Sequence, residues 1–217
     1  MIKNKFSADK EKTNKICFSR WIFLVILLSF WALISLNFIF TLPKLNFFTH
    51  DFEGHVHYTK LIYELKKLPH PNQGWQTYQP PAYYIINQIF SPLSENHVLM
   101  VRLLSIFYGA VFLVCCHIVM KHWGIPQLIQ LLILIYFMSI PAFVHLFTTY
   151  NNDSLVMALS AAIIAALVKY CFSPKPYLLV LLFLLAALGV YTKYNIILLI
   201  TSIGILLCGA FLGVIFG

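Results

Sequence analysis

The sequence predicts an all-α membrane protein, a polytopic bundle of six transmembrane helices with two short juxtamembrane helices in its first outer loop. Three observations predict this fold class. Of the 217 residues, 60% are hydrophobic and only 10% are charged, whereas soluble globular proteins carry about 25% charged residues. Six apolar segments approach the ~20 residues that a helix needs to cross a bilayer. Between these segments, the basic residues are unevenly distributed, as in proteins with a fixed orientation in a membrane.

The N-terminal segment is basic. Residues 1–20 contain six of the fifteen lysines and arginines, and we expect them to form a cytoplasmic tail beside the membrane. The apolar run that follows, residues 21–42, is longer than the core of a secretory signal peptide and precedes no small-residue cleavage site. It therefore predicts a retained anchor, and the net charge of +8 does not indicate binding to nucleic acid.

The other apolar segments complete the bundle, and the fifth is short but can be accommodated by a small tilt. With the N-terminus inside, nine of the fifteen basic residues lie on the cytoplasmic side, which is the positive-inside pattern. We therefore expect one transmembrane module, residues 21–217, in the inner (plasma) membrane, with both termini in the cytoplasm. The predicted spans are residues 21–42, 98–120, 126–146, 154–172, 176–191 and 195–216, and the long outer loop is residues 43–97.

The outer loop has helical patterns of its own. Residues 51–67 place apolar side chains at near-helical spacing, and Thr49 is the expected N-cap. Pro80 and Pro81 begin a second helix, which we expect to cover residues 82–93. That segment is too short to span a bilayer and suits the membrane surface.

The five cysteines do not indicate a disulfide framework. None of them lies in the outer loop, and no Cys-x-x-Cys pair occurs. The sequence therefore predicts neither a redox motif nor a structural zinc site.

Acids and histidines are concentrated at the start of the outer loop. Asp51 and Glu53 do not share a helix face. Either one is a general base that the other supports, or both complement the helix dipole. His55 and His57 follow these acids at a spacing of four residues. They either help to ligate a divalent cation or are solvated interfacial side chains. No cofactor is certain from the sequence, and a divalent cation is the one that it suggests.

Further candidate residues lie in or beside outer connections. The two tyrosines either stack on a lipid or glycan, or form an aromatic belt. The amide and the acid before the fourth span either cap that helix or contact a ligand. The two cations either pair with phosphate or extend to the interface. These six residues are Tyr83, Tyr84, Arg102, Asn152, Asp153 and Lys193.

Taken in order, these motifs resemble the N-terminal half of the GT-C glycosyltransferases. The acidic start of the outer loop comes first and the Pro-Pro-x-Tyr-Tyr motif at residues 80–84 second. Asn-Asp precedes the fourth span, and Thr-Lys-Tyr at residues 192–194 follows the fifth. The sequence is most similar to the branch of protein mannosyltransferases and aminoarabinose transferases. The resemblance extends over most of residues 18–216.

The resemblance implies an enzyme that transfers a hexosyl or pentosyl group. The donor would be a sugar linked to a polyprenyl phosphate, and the acceptor a lipid, glycan or protein on the non-cytoplasmic face. Asp51 would be the general base, Glu53 would support it, and Tyr83 and Tyr84 would lie at the donor site. The chain departs from the family pattern in two places: its acids are not adjacent, and Gln79 precedes the prolines where many relatives have a basic residue.

The length of the chain leaves alternatives open. Relatives have more spans and usually a soluble outer domain, so we expect a truncated or split product whose partner is a separate C-terminal half. The alternative function is that of a non-catalytic remnant or accessory subunit, which binds lipid-linked sugar or a partner protein. A small transporter is less favoured, because transporters place polar groups at mid-membrane.

Overall fold

The structure is a computed structural model that describes residues 2–42, 51–90 and 96–205, with side chains from residue 22 onward. Within these ranges the secondary structure is helical and contains no strand, which confirms the all-α prediction. The helices are α1 (Ile2–Thr41), α2 (Phe52–Leu65), α3 (Ala82–Phe90), α4 (His97–His122), α5 (Gln127–Ser139), α6 (Pro141–Leu146), α7 (Asp153–Phe172), α8 (Pro176–Thr192) and α9 (Ile196–Ile205).

Three of the described helices are long and apolar enough to cross a membrane. They are the second half of α1 (Ile22–Thr41), α4 and α7. Helices α5, α8 and α9 are apolar but shorter. The chain is therefore a multi-pass helical membrane protein, whereas the number of six spans and the orientation of the N-terminus stay predictions.

The segment predicted as the third span, residues 126–146, is not a single helix. Helix α5 ends at Ser139, and α6 begins at Pro141 after an extended residue, Ile140 (φ −78°, ψ 116°). Proline has no N–H to continue the hydrogen-bond ladder, and its ring clashes with the preceding turn. The break therefore lies where local chemistry requires it, although the apolar run continues across it.

The loop helices differ from their predicted bounds at the ends. Helix α2 has Asp51 at its N-cap position and ends with Lys66 in the left-handed conformation, and the predicted cap Thr49 lies outside the described residues. Helix α3 ends at Phe90, and the last predicted residues beyond it are likewise not described. That these two helices lie at a membrane surface stays a prediction.

The bundle core forms mainly between α4 and α7, with α1 and α8 packed against them. Trp31 of α1 is buried on α4, and its indole N–H donates to the carbonyl of Ile106 over 3.0 Å. A Cβ at Gly109 would lie 2.4 Å from the Trp31 ring, so only glycine allows this approach. Phe143 and Phe147 pack edge-on against the same indole.

The loop helices cover one end of this core. Helix α2 packs on α3, and α3 contacts both α4 and α8. At that same end, the connection of residues 147–152 leads into α7, and Lys193 follows α8. The fold therefore brings the start of α2, the start of α7 and the end of α8 to one region.

Candidate functional site

The first turn of α2 positions a buried histidine beside Asp51. The His55 N–H donates to the Asp51 carbonyl over 3.0 Å, so the two residues lie one helical turn apart. Asp51 is half-buried, whereas His55 is only 2% exposed. The His55 Nδ1 lies 2.8 Å from the Tyr84 hydroxyl. Its ring also stacks on that of Tyr150, with centroids 6.4 Å apart.

Burial controls the charge of His55. Desolvation lowers its pKa to about 4, because the charged imidazolium is disfavoured away from water. Asp51 and Asp153 oppose this effect, and Lys193 adds to it. His55 is therefore neutral at pH 7. The charges of all three residues act on one ring, which indicates that three separate connections of the chain lie near His55.

An ion pair joins the start of α7 to the end of α8. The Lys193 Nζ lies 2.5 Å from the Asp153 Oδ1, with the side chains 21% and 41% exposed. Partly exposed pairs of this kind contribute little to stability, and the pair stays accessible to a ligand. We call Asp51, Asp153 and Lys193 the charged rim.

Tyr150 connects the first helix of the outer loop to the bundle, and sequence analysis did not single it out. Its hydroxyl lies 2.6 Å from the Thr59 Oγ1 and 3.2 Å from the His97 Nε2. The Gln88 side chain donates to the Thr59 carbonyl over 2.6 Å. These bonds link α2, α3, α4 and the connection before α7. The only sequence signal was that Tyr150 lies directly before the two asparagines that precede Asp153.

Gln79 and Asn152 connect the outer loop to α7. The Asn152 amide donates to the Gln79 Oε1 over 3.0 Å, and the Gln79 amide donates to the Gln76 Oε1 over 2.9 Å. Asn152 occupies the N-cap position of α7 but makes no capping bond. Instead, the Asn151 Oδ1 accepts the Asp153 N–H over 2.9 Å. Gln79, the uncharged residue before the prolines, thus makes a structural contact with Asn152.

Two of the predicted site residues are exposed, unlike His55. Glu53 and His57 are exposed, and His57 packs over Gly74, where a Cβ would come 2.8 Å from its Nδ1. The two histidines of α2 therefore have different surroundings. Nothing in this arrangement unites them as ligands of one ion.

The remaining predicted residues are buried within the protein. Tyr83 and Tyr84 are fully buried, and their rings pack on each other and on His55. Arg102 is 3% exposed, and its Nε donates to the Thr148 carbonyl over 2.7 Å. These three side chains therefore make their contacts inside the protein.

The described residues offer few ligands for a metal. Within the described ranges, no three histidine, cysteine, aspartate or glutamate side chains are grouped so as to hold an ion. The charged rim provides two carboxylates. A divalent cation at this site therefore stays a prediction.

Comparison with protein families identifies a family that matches most of the chain. A family model described as dolichyl-phosphate-mannose-protein mannosyltransferase matches residues 72–215. No curated protein and no solved structure matches the chain. The matched region includes α3 to α9, with Asn152, Asp153 and Lys193, whereas Asp51 and α2 precede it.

Proposed function

Because the chain belongs to the dolichyl-phosphate-mannose-protein mannosyltransferase family, a group of GT-C-type membrane glycosyltransferases, we propose that it transfers a sugar from a polyprenyl-phosphate donor to an acceptor hydroxyl on the non-cytoplasmic face. The observation that supports this proposal is that the charges of Asp51, Asp153 and Lys193 all act on His55, with Lys193 and Asp153 paired. The site then contains a carboxylate that can accept a proton and an ammonium group that can face a phosphate.

The proposed reaction is a single displacement with inversion at the anomeric carbon. Asp51 accepts the proton of the acceptor hydroxyl while the hydroxyl oxygen forms its bond to that carbon. The bond between the anomeric carbon and the phosphate oxygen breaks, and its electron pair leaves with the phosphate. General-base assistance of this kind contributes about 100- to 10,000-fold in rate.

Lys193 is the residue that we assign to the departing phosphate. It is the partly exposed cation of the charged rim, whereas Arg102 is buried and donates to a backbone carbonyl. Phosphate oxygens would then replace the Asp153 carboxylate as the acceptor for the ammonium group. A divalent cation held by the two carboxylates of the rim would supply charge in the same place.

A transfer assay with the full chain in proteoliposomes tests the proposal. The vesicles receive a polyprenyl-phosphate mannose donor and a panel of lipid, glycan and peptide acceptors. We expect labelled sugar to appear on one acceptor class. Saturable binding of the donor without transfer to any acceptor would contradict the proposal and would support the function of a binding subunit.

Removal of metal belongs to the same assay. Since Lys193 can balance the phosphate charge alone, we expect transfer to persist in excess EDTA. Loss of transfer in EDTA, with recovery on adding Mg²⁺ or Mn²⁺, would instead assign the carboxylates of the rim to a cation.

A further inference from the structure

The imidazole of His55 is held by one nitrogen and has a second nitrogen available. The Nδ1 atom lies 2.8 Å from the hydroxyl of Tyr84. Within the described part of the chain, Nε2 makes no hydrogen bond, although His55 is only 2% exposed. Nε2 is not among the fully enclosed side-chain atoms that lack a hydrogen-bond partner, so it can be reached from the surface. It is therefore placed to serve a group from outside this set of residues.

The surroundings of the pair determine which group donates. Burial raises the pKa of the Tyr84 hydroxyl, so Tyr84 keeps its proton, and His55 is neutral because burial lowers its pKa. The Tyr84 hydroxyl has no other acceptor among the described residues. Its proton is satisfied only if it points at Nδ1, which places the imidazole proton on Nε2.

The groups around the ring define what that N–H can bind. Asp51 comes from the same helix, Asp153 from α7, and Lys193 from the residue after α8. The aromatic neighbours are Tyr83, Tyr84 and Tyr150. The two carboxylates outnumber the single ammonium group, so a second anion is poorly matched to this region. A hydroxyl group fits, because its oxygen accepts from Nε2–H while its proton points to a carboxylate.

We propose that Tyr84 is a positioning residue that fixes His55 as a neutral Nε2–H donor, and that this N–H donates to a substrate hydroxyl held beside Asp51. The hydroxyl belongs either to the sugar of the donor or to the acceptor. This second half rests on the proposed transferase function. The first half concerns the protein alone and is tested without any substrate.

The tautomer is tested by ¹⁵N NMR of the full chain in nanodiscs with labelled histidine, using His55→Gln to assign the signals. We expect a protonated Nε2 and an unprotonated Nδ1 in the parent. In Tyr84→Phe the two nitrogens move toward averaged values, because the constraint on the tautomer is lost. Tyr108→Phe is the matched control, since its buried hydroxyl has no hydrogen-bond partner, and it leaves the His55 signals unchanged.

Two NMR results would overturn the first half. One is a proton on Nδ1 in the parent chain. The other is an unchanged tautomer in Tyr84→Phe. Neither result bears on whether the chain transfers sugar.

Kinetics test the second half. In Tyr84→Phe we expect transfer to fall about tenfold, the size of one lost hydrogen bond in the transition state, while Tyr108→Phe keeps the parent rate. A higher KM for the donor assigns the hydroxyl to the sugar, and a higher KM for the acceptor assigns it to the acceptor. Unchanged kinetics in Tyr84→Phe would overturn the substrate contact. A parent chain without transfer would overturn it together with the proposed function, and the NMR result would still stand.

Discussion

Two histidines only two positions apart show how burial decides the chemistry of single side chains here. His55 is buried against Tyr84 and Tyr150, whereas His57 is exposed. From the sequence they were equivalent, since each follows an acid by four residues. The difference arises from tertiary packing of α3 and the 147–152 connection, which local spacing does not encode. The sequence could therefore identify both histidines as candidate site residues, but it could not predict which of them is buried.

The buried state of His55 predicts a dependence of stability on pH. Its pKa is about 4 in the folded protein against 6.5 for the free side chain, so the unfolded chain binds the extra proton first. Neutral, buried His55 therefore contributes to the free energy of unfolding fully above pH 6.5, and this contribution is lost as the pH falls toward 4. The free energy lost is about 3 kcal/mol. Thermal unfolding in detergent at pH 7.5 and pH 4.5 measures this loss.

Variants separate this effect from general acid sensitivity. We expect His55→Gln to be less stable than the parent at pH 7.5 but to lose less stability between the two pH values. His57→Gln is the matched control, because His57 is exposed, and it should follow the parent. Equal losses in all three proteins would contradict a buried neutral His55.

Lys193 predicts a specific defect in donor use. In Lys193→Met the phosphate loses its ammonium partner, and we expect kcat/KM for the donor to fall about 10- to 100-fold, as for loss of a charge-assisted hydrogen bond. Lys175→Met is the control, because Lys175 is exposed at the opposite end of α8. A parent-like value in Lys193→Met would remove Lys193 from the phosphate site.

The apolar pattern of the sequence predicted which helices exist better than it predicted where each helix begins and ends. The segments for α4, α7 and α8 follow directly from apolar runs with polar ends. The division between α5 and α6 was missed, although Pro141 is the local signal for it. An apolar run indicates that a segment prefers the bilayer, whereas the continuity of a helix depends on backbone hydrogen bonds, which proline interrupts.

The contact between α1 and α4 depends on Gly109. A Cβ there would meet the Trp31 ring at 2.4 Å, so Gly109→Ala must displace the indole from its bond to Ile106. We expect a loss of about 1–3 kcal/mol, as for other overpacked cores. Thermal unfolding in detergent measures it.

Gly204→Ala is the matched control for this substitution. A Cβ at Gly204 in α9 meets nothing within 4 Å, so alanine there should be neutral or slightly stabilising. If Gly109→Ala were as stable as Gly204→Ala, the close packing of α1 on α4 would be wrong.

For the complete chain, family membership and the membrane class were predictable because both depend on patterns spread over many residues. That the charges of the rim act on His55 could not be read from the sequence, since the members of the rim come from three distant connections. The bonds of Tyr150 to Thr59 and His97, which join α2 and α4 to the 147–152 connection, had no sequence signature. Such contacts depend on how α2 and α3 pack over the bundle.

The predicted orientation can be tested by labelling single cysteines. With the native cysteines replaced, Glu64→Cys on α2 should react with an impermeant maleimide added to intact cells, and Lys175→Cys before α8 should react only after permeabilisation. Both residues are exposed in the structure. Labelling of both from the same side would contradict the predicted positive-inside arrangement.

The most direct test of the account is the transfer rate of Asp51→Asn in proteoliposomes, measured beside Glu64→Gln, an exposed acid of the same helix. Asparagine keeps the size of the side chain but cannot accept the proton, so we expect transfer to fall at least about 100-fold with donor binding retained. Glu64→Gln should keep the parent rate. Full transfer by Asp51→Asn would contradict the account, because no base would then be needed at the charged rim.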